Sequence, residues 1–174
     1  MRISSGRLCA ALTGVALAVL AEACRAQAVE VGAPVPDCAL PLMTRAGSED
    51  LRALRGGVVF VDFWATWCGR CVESFGFLDA LQRELGGDGL SVVAVNVNEN
   101  PDDARAFAVK HPVSFALAFD RGGRCAREFS VQGMPSSYLV DRNGVIRVVH
   151  LGFRLGERDE LRDRVRELLA EKGP

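Results

Sequence analysis

The chain has 174 residues, of which 49% are hydrophobic and 25% charged, a composition that excludes a disordered, collagen-like or polytopic membrane protein. Its 21 basic and 22 acidic residues leave a formal net charge of -1, and no basic cluster stands out that would attract a nucleic-acid backbone. Six cysteines and two histidines are too few for a disulfide-dense miniprotein or a histidine-rich metal site. We therefore expect one globular domain without a nucleic-acid partner.

Residues 1–28 have the pattern of a secretory signal peptide. Two arginines precede an uncharged run of 14 residues, which is shorter than the ~20 residues that a membrane-spanning helix needs. Small residues at the end of this segment predict cleavage between Ala28 and Val29. Cleavage before Cys24 would instead give a lipoprotein, but Ala21 stands where a lipobox prefers leucine. We expect a mature domain of residues 29–174 outside the cytoplasm.

The mature chain keeps four cysteines in a compartment where disulfides persist. Cys68 and Cys71 are three residues apart, whereas Cys38 and Cys125 are isolated in the sequence. The isolated pair could form a structural disulfide that closes a long loop, or remain as two buried thiols. Their Cα separation decides between the two, because a distance beyond ~7 Å forbids the bond.

The first elements of the mature chain are an irregular extension, a strand and a helix. Residues 29–57 contain three prolines, which confine any strand to short edge pieces. Residues 58–64, V-V-F-V-D-F-W, are typical of a strand buried on both faces. From Cys68, apolar side chains recur at helical spacing as far as Leu85, before two glycines. This pattern indicates a strand, a tight turn and a helix.

Strands and helices alternate in the rest of the chain. The predicted elements are a strand at 90–97, a helix from Asn100 toward Pro112, a strand at 114–119, a short helical piece to about Phe129, strands at 136–140 and 145–149 around the hairpin signal D-R-N-G, and a terminal helix with Leu161, Val165, Leu168 and Leu169 on one face. This order predicts a three-layer α/β/α sandwich with a mixed central sheet, whose last two strands are antiparallel.

The motif W-C-G-R-C at residues 67–71 carries the chemistry. Two cysteines three apart at a helix start bring their sulfurs close together, and the unpaired backbone N–H groups and helix dipole favour a thiolate on the first. Cys68 is thus the predicted nucleophile and Cys71 the resolving thiol. A simple structural disulfide and a zinc site that recruits the isolated pair are the competing interpretations. Val72 excludes covalent haem, since C-x-x-C-H requires histidine there.

The motif V-D-F-W-A-T-W-C-G-R-C, together with G-M-P-S-S-Y-L-V-D-R-N-G at residues 133–144, resembles the thioredoxin superfamily. The N-terminal extension and the helix–strand insertion between about Glu99 and Asp120 resemble its extracytoplasmic TlpA/ResA/DsbE branch. The resemblance implies that Pro135 is cis and faces the cysteine pair, and that the backbone of Met134 pairs with a substrate chain. It also implies that Trp67, Gly69 and Arg70 contact the substrate.

Asp62 interrupts the apolar strand with a carboxyl group, which cannot ionise cheaply without water or a partner. We therefore expect its pKa to lie above the usual value, unless it faces solvent at the strand end. Thioredoxins carry an aspartate at this position. The resemblance implies that Asp62 exchanges a proton through water as Cys71 turns over.

These features predict a periplasmic thiol-disulfide oxidoreductase that needs no cofactor or metal and acts on protein cysteines as a soluble monomer. The resemblance implies reduction of disulfides in apocytochrome c or a copper-site protein, with a periplasmic or membrane electron donor. A thiol peroxidase is disfavoured, because its motif requires proline and a hydroxyl residue where Val61 and Ala65 stand. A carrier that holds copper between Cys68 and Cys71 without catalysis is the alternative function.

Overall fold

The computed structural model describes residues 29–43 and 47–173, so the predicted signal peptide lies outside the described residues. The strands are β1 (Ala39–Pro41), β2 (Ser48–Asp50), β3 (Val58–Trp64), β4 (Leu90–Asn96), β5 (Ala116–Phe119), β6 (Ser136–Val140) and β7 (Ile146–Leu151). The helices are α1 (Gly69–Leu85), α2 (Pro101–Lys110), α3 (Arg124–Glu128) and α4 (Arg158–Ala170). Three short 3-10 turns, Gly86–Asp88, Arg121–Gly123 and Leu155–Glu157, adjoin them.

Five strands form the central sheet in the order β5-β4-β3-β6-β7. The first three are mutually parallel, and the last two are antiparallel to their neighbours. All seven residues of β3 are buried, as the V-V-F-V-D-F-W pattern predicts. The predicted element order and the mixed three-layer sandwich are confirmed.

Alternate residues of β3 contribute to two core layers on opposite faces of the sheet. Phe60 and Trp64 pack in the layer that contains the buried side chains of α1, α2 and α4. Val61 and Phe63 pack in the layer that contains α3 and the N-terminal extension. The parallel strands β3, β4 and β5 follow one another in one direction across the sheet. Right-handed crossovers between them therefore place α1 and α2 on the same face.

Residues 32–43, which we term the N-terminal strap, cross the sheet from one edge to the other. At β7, the N–H of Gly32 donates to the carbonyl of Ile146 at 2.8 Å. At β5, the N–H of Met43 donates to the carbonyl of Leu117, also at 2.8 Å. Between these points, the strap carries β1, which pairs with β2 in a separate two-stranded ribbon. The predicted extension with short strand pieces is therefore confirmed.

Some elements begin at a different residue than predicted, because a side chain forms hydrogen bonds with backbone groups there. Strand β5 begins at Ala116 rather than at residue 114, because Asp79 Oδ1 accepts both the N–H and the hydroxyl of Ser114 at 2.6 and 2.7 Å. Cys68 caps α1 rather than forming its first turn. Within the described residues, no helix combines the length and the apolarity that a bilayer span requires.

Candidate functional site

The two cysteines of the W-C-G-R-C motif are joined by a disulfide at the N-terminus of α1. Cys68 is the N-cap residue with an extended backbone, and its Cα lies 5.4 Å from that of Cys71. The N–H of Cys71 donates to Cys68 Sγ at 3.2 Å and to the carbonyl of Cys68 at 3.1 Å, so the first sulfur already accepts a shared backbone N–H of the helix start. Cys68 retains 7% exposure against 1% for Cys71. The arrangement suits attack at Cys68 and resolution by Cys71.

A buried network of amides holds the loop that leads into this disulfide. Asn98 Oδ1 accepts the N–H of Thr66 at 3.0 Å, and Asn98 Nδ2 donates to Thr66 Oγ1 at 2.7 Å. Asn96 completes the network, since its Nδ2 donates to Asn98 Oδ1 and its Oδ1 accepts the N–H of Asn98, both at 2.9 Å. The loop before Cys68 is thereby fixed to the end of β4. The sequence analysis did not identify these residues.

Asp62 is completely buried, which rules out the interpretation of a solvent-facing strand end. Burial raises the pKa of its carboxyl to about 7, against the smaller opposing effect of a hydrogen bond from Ser137. The raised pKa confirms the expectation from the apolar strand. The side chain points into the layer of α1, because Phe60 and Trp64, two residues away on either side, both do so. Cys71 belongs to the same layer.

The Met134–Pro135 peptide bond is cis, as the resemblance implies. Phe63 is the register partner of Ser136, so the antiparallel pairing places Pro135 beside Trp64. This is the end of β3 from which the Cys68 loop leaves the sheet. Pro135 is buried and Met134 is half-buried.

Three further residues predicted to contact substrate surround Cys68 at the surface. Trp67 is 72% exposed, and Gly69 and Arg70 are exposed in the first turn of α1. The structure thus brings these residues to the same site as the cysteine pair.

Cys38 and Cys125 form a second disulfide, with a Cα separation of 5.7 Å, which decides the question that the sequence left open. Both residues have 0% exposure and lie in the core layer of α3 and the N-terminal strap, on the sheet face opposite to α1. Cys38 Sγ lies 3.7 Å from Glu128 Oε2. A zinc site that uses all four cysteines is excluded by this geometry, and the described residues contain no cluster of three or more metal-ligating side chains.

Ser74 and Ser137 are buried hydroxyl residues at the site that the sequence analysis did not assign. Ser74 Oγ donates to the carbonyl of Cys71 at 2.9 Å, on the inner side of α1. Ser137 Oγ contacts Asp62 Oδ1 at 2.6 Å. A serine next to a cysteine motif or in a strand has no distinctive sequence signal.

Comparison with known proteins identifies the family of this chain. The Redoxin family profile matches residues 30–164. The thioredoxin-like protein YneN of Bacillus subtilis is 33% identical over 127 residues, which cover 71% of this chain and 73% of that protein. The thiol-disulfide oxidoreductase ResA of Geobacillus kaustophilus is 30% identical over 125 residues, 72% of this chain and 71% of that protein.

Solved structures give the same result. A Chlorobium tepidum protein assigned as a thiol:disulfide interchange protein DsbE is similar with a TM-score of 0.79 and 38% identity, over 82% of this chain and all of that one. A Bacteroides thetaiotaomicron protein assigned as a protein disulfide isomerase has a TM-score of 0.74 at 26% identity, over 82% of this chain and 92% of that one.

Proposed function

The chain belongs to the Redoxin family and is a protein-disulfide oxidoreductase of the thioredoxin superfamily, and on this premise we propose that Cys68 and Cys71 are its redox centre. The observation that carries the proposal is the hydrogen bond from the Cys71 N–H to Cys68 Sγ at the N-terminus of α1. A sulfur in this position gains stabilisation as a thiolate from the N–H group and from the helix dipole. The thiolate is the form that attacks disulfides.

The reaction proceeds in two exchange steps when the protein acts as a reductant. The Cys68 thiolate attacks one sulfur of a substrate disulfide, so that a mixed disulfide forms and the other substrate sulfur leaves as a thiolate. Cys71 then attacks Cys68 Sγ, which breaks the mixed disulfide and closes the Cys68–Cys71 bond. Two electrons pass to the substrate. Asp62 takes the proton of the Cys71 thiol through water, since it is a buried base with a pKa of about 7 in the same core layer.

The surface around Cys68 supports a protein chain as the substrate. Exposed Trp67 provides an apolar platform, and Gly69 leaves space at the helix start, since no heavy atom outside its local backbone lies within 4 Å of the position of a Cβ. Met134 precedes the cis-proline at the end of β6, where its backbone would hydrogen-bond an extended substrate segment.

Cys38–Cys125 is not proposed as the redox centre. Both residues are wholly buried, and thiol–disulfide exchange requires direct access of a thiolate to a sulfur. The two disulfides therefore have separate roles, the first reactive and the second structural.

Insulin reduction by dithiothreitol tests the assignment. Wild-type protein accelerates precipitation of the insulin B chain, and Cys68→Ser abolishes the acceleration. The double variant Cys38→Ser/Cys125→Ser is the control, and it keeps the acceleration at a temperature where it is folded. A protein that binds copper(I) between the cysteines but does not accelerate insulin reduction would contradict the proposal and favour a metal carrier.

The cellular role is proposed from the resemblance to the TlpA/ResA/DsbE branch. The mature domain would act as a monomer in the periplasm after removal of residues 1–28, and would reduce disulfides in apocytochrome c or a copper-site protein. N-terminal sequencing of the protein from a periplasmic extract tests cleavage before Val29. Capture by Cys71→Ser in the native periplasm tests the substrate. Absence of both classes of protein among the captured partners would contradict this role.

A further inference from the structure

One protein hydrogen bond holds the buried carboxyl group of Asp62. Ser137 Oγ donates to Oδ1 at 2.6 Å, and the two residues are direct register partners between the antiparallel strands β3 and β6. Ser137 is itself buried. The second oxygen, Oδ2, is buried and has no hydrogen-bond partner among the described residues. The two oxygens of the carboxyl group are therefore inequivalent.

The carboxyl group of Asp62 and the hydroxyl group of Ser137 lie on the side of the sheet that also contains the resolving cysteine. Ser137 faces the same side of the sheet as Leu139, two residues along β6, which packs in the layer of α1 together with Cys71. On the opposite flank, the register partner of Asp62 in β4 is Ala94, which offers no polar side chain. Oδ1 is therefore committed to Ser137, and Oδ2 remains as the oxygen able to exchange a proton.

The titratable groups that face this pair come from few elements. At the N-terminus of α1 they are the two cysteines of the redox pair, and in β7 the register partner of Ser137 is His150. His150 Nε2 lies 3.2 Å from Glu157 Oε2. The imidazole therefore contacts a carboxylate at the N-terminus of α4. The inward side chains of α4 and α2 that pack in this layer are apolar, namely Leu161, Val165 and Leu168, and Ala104 and Ala108.

We propose that Ser137 is a positioning residue of the redox reaction, which fixes Asp62 through Oδ1 so that the proton of Cys71 is received and returned at Oδ2. The proposal rests on the proposed function, because it takes Cys71 as the resolving thiol. In the forward step the Cys71 S–H bond breaks and its proton moves to Oδ2. The Cys71 sulfur then bonds to Cys68 Sγ, the Cys68–substrate bond breaks, and its electron pair leaves with the substrate sulfur.

The hydroxyl also determines how much of Asp62 is ionised near neutral pH. A hydrogen bond donated to a carboxylate stabilises the charged form, so Ser137 lowers the pKa that burial raises. Without the hydroxyl, Asp62 would be protonated over a wider pH range and could not accept the proton of Cys71 there. Removal of Ser137 should therefore alter the pH dependence of the reaction and not only its rate.

Titration of the Asp62 carboxyl carbon by 13C NMR tests the proposal directly. The oxidised protein is used, because its redox cysteines have no thiol protons, and Asp62→Asn assigns the signal. Ser137→Ala should move the half-titration of Asp62 to higher pH, with an acid dissociation constant about tenfold smaller than in wild type. Ser137→Thr should keep the half-titration near the wild-type position. Ser136→Ala is the matched control, since Ser136 is also buried but donates to the carbonyl of Gly133. It should leave the titration of Asp62 unchanged.

Insulin reduction measured from pH 6 to pH 9 provides the second readout. Ser137→Ala should be about three- to tenfold slower than wild type at pH 7, and the difference should narrow as the pH rises. In an Asp62→Asn background, Ser137→Ala should have no further effect. A His150→Gln background removes the imidazole on the other side of Ser137 and should preserve the difference between serine and alanine.

Three results would overturn the role of Ser137. They are an unchanged Asp62 titration in Ser137→Ala, a loss of rate by the same factor at every pH, or an equal loss in the Asp62→Asn background. Failure of the proposed function is a separate outcome, recognised when Cys68→Ser is as active as wild type. The NMR titration does not depend on activity, so it decides the Asp62–Ser137 relationship in either case.

Discussion

The N–H of Cys71 donates to Cys68 Sγ at 3.2 Å, across a single turn at the N-terminus of α1. This hydrogen bond makes the two cysteines chemically unequal, because only the first sulfur accepts from the helix start. The second cysteine lies inside the helix and is almost fully buried.

Cys71→Ser should accumulate stable mixed disulfides with protein substrates, whereas Cys68→Ser should trap far fewer. The reason is that Cys68 forms the mixed disulfide and Cys71 is needed to resolve it. Non-reducing gels after incubation with scrambled ribonuclease measure the trapped species. Iodoacetamide should also label Cys68 first in reduced wild-type protein at neutral pH. Equal trapping by the two variants would contradict the assignment of Cys68 as the attacking thiol.

Asp62→Asn should stabilise the fold at neutral and alkaline pH while slowing turnover. The pKa of Asp62 rises from 3.8 to about 7 on folding, so the folded state holds the proton more tightly than the unfolded state. The contribution of this tighter proton binding to the free energy of unfolding is fully present below about pH 4 and is lost as the pH rises to about 7 and beyond. The total loss is on the order of 4 kcal/mol.

Urea unfolding at pH 4, 6 and 8 measures this linkage. The gain of Asp62→Asn over wild type should be smallest at pH 4 and should reach roughly 2–4 kcal/mol at pH 8, because the amide carries no charge to desolvate. Asp79→Asn is a useful comparison. The Asp79 carboxylate is half-buried and is held by Ser114 and Arg83, so loss of its charge should destabilise the fold. A gain from Asp62→Asn that is independent of pH would refute the explanation.

Loss of the second disulfide should lower stability without changing the redox chemistry. Cys38 and Cys125 are 87 residues apart in sequence, and the chain-entropy treatment assigns about 4.6 kcal/mol to a loop of this length. The double serine variant should therefore unfold at a lower urea concentration than wild type, while its insulin reduction per folded molecule is unchanged. An unaltered midpoint would show that the bond constrains little.

Asn98→Ala should impair both stability and turnover, because the part-buried N–H of Thr66 would lose its acceptor. An unpaired buried donor costs ~1–3 kcal/mol, and the loop before Cys68 would no longer be fixed to β4. Asn100→Ala is the control, since the Asn100 side chain caps α2 at the surface, where it accepts from the N–H of Asp102 and donates to Asp103 Oδ1. The control should lower stability by ~1 kcal/mol and leave insulin reduction intact. Equal turnover of the two variants would contradict a positioning role for Asn98.

Arg70→Pro should make the redox potential of Cys68–Cys71 more negative. Arg70 lies between the two cysteines in sequence and is exposed. Its positive charge favours the thiolate of the reduced form, but solvent and salt screen the effect. A shift of about 10–30 mV is expected on this scale. Titration against glutathione buffers measures it, with Arg70→Lys as the variant that keeps the charge. An equal or more positive potential in Arg70→Pro would show that the charge does not tune the pair.

Local patterns predicted the parts of the fold that are held by local contacts. The buried strand, the capped helix and the D-R-N-G hairpin follow from neighbouring residues, and the hairpin is closed by Asp141 Oδ1, which accepts the N–H groups of Asn143 and Val145. Gly144 takes the positive φ of 79° that this turn requires. Both redox cysteines could be placed for the same reason.

Contacts between distant segments could not be predicted in this way. Ser137 meets Asp62 across 75 positions, and Asn98 meets Thr66 across 32, so their roles depend on a strand register that the sequence does not display. The Cys38–Cys125 bond remained open because its formation depends on a distance through space. The resemblance to a family supplied the cis peptide bond at Pro135, which no local pattern distinguishes from an ordinary turn proline.

The N-terminal strap has a consequence for the order in which the chain is assembled. Its two ends pair with Ile146 and Leu117, both of which follow it by many residues, so the strap cannot dock until most of the domain has been delivered. A chain that enters an oxidising compartment N-terminus first exposes Cys38 together with the reactive pair before Cys125 arrives. For such a chain, Cys68 and Cys71 are the first available partners of Cys38, and a bond formed with either of them would have to be exchanged before Cys38–Cys125 could form.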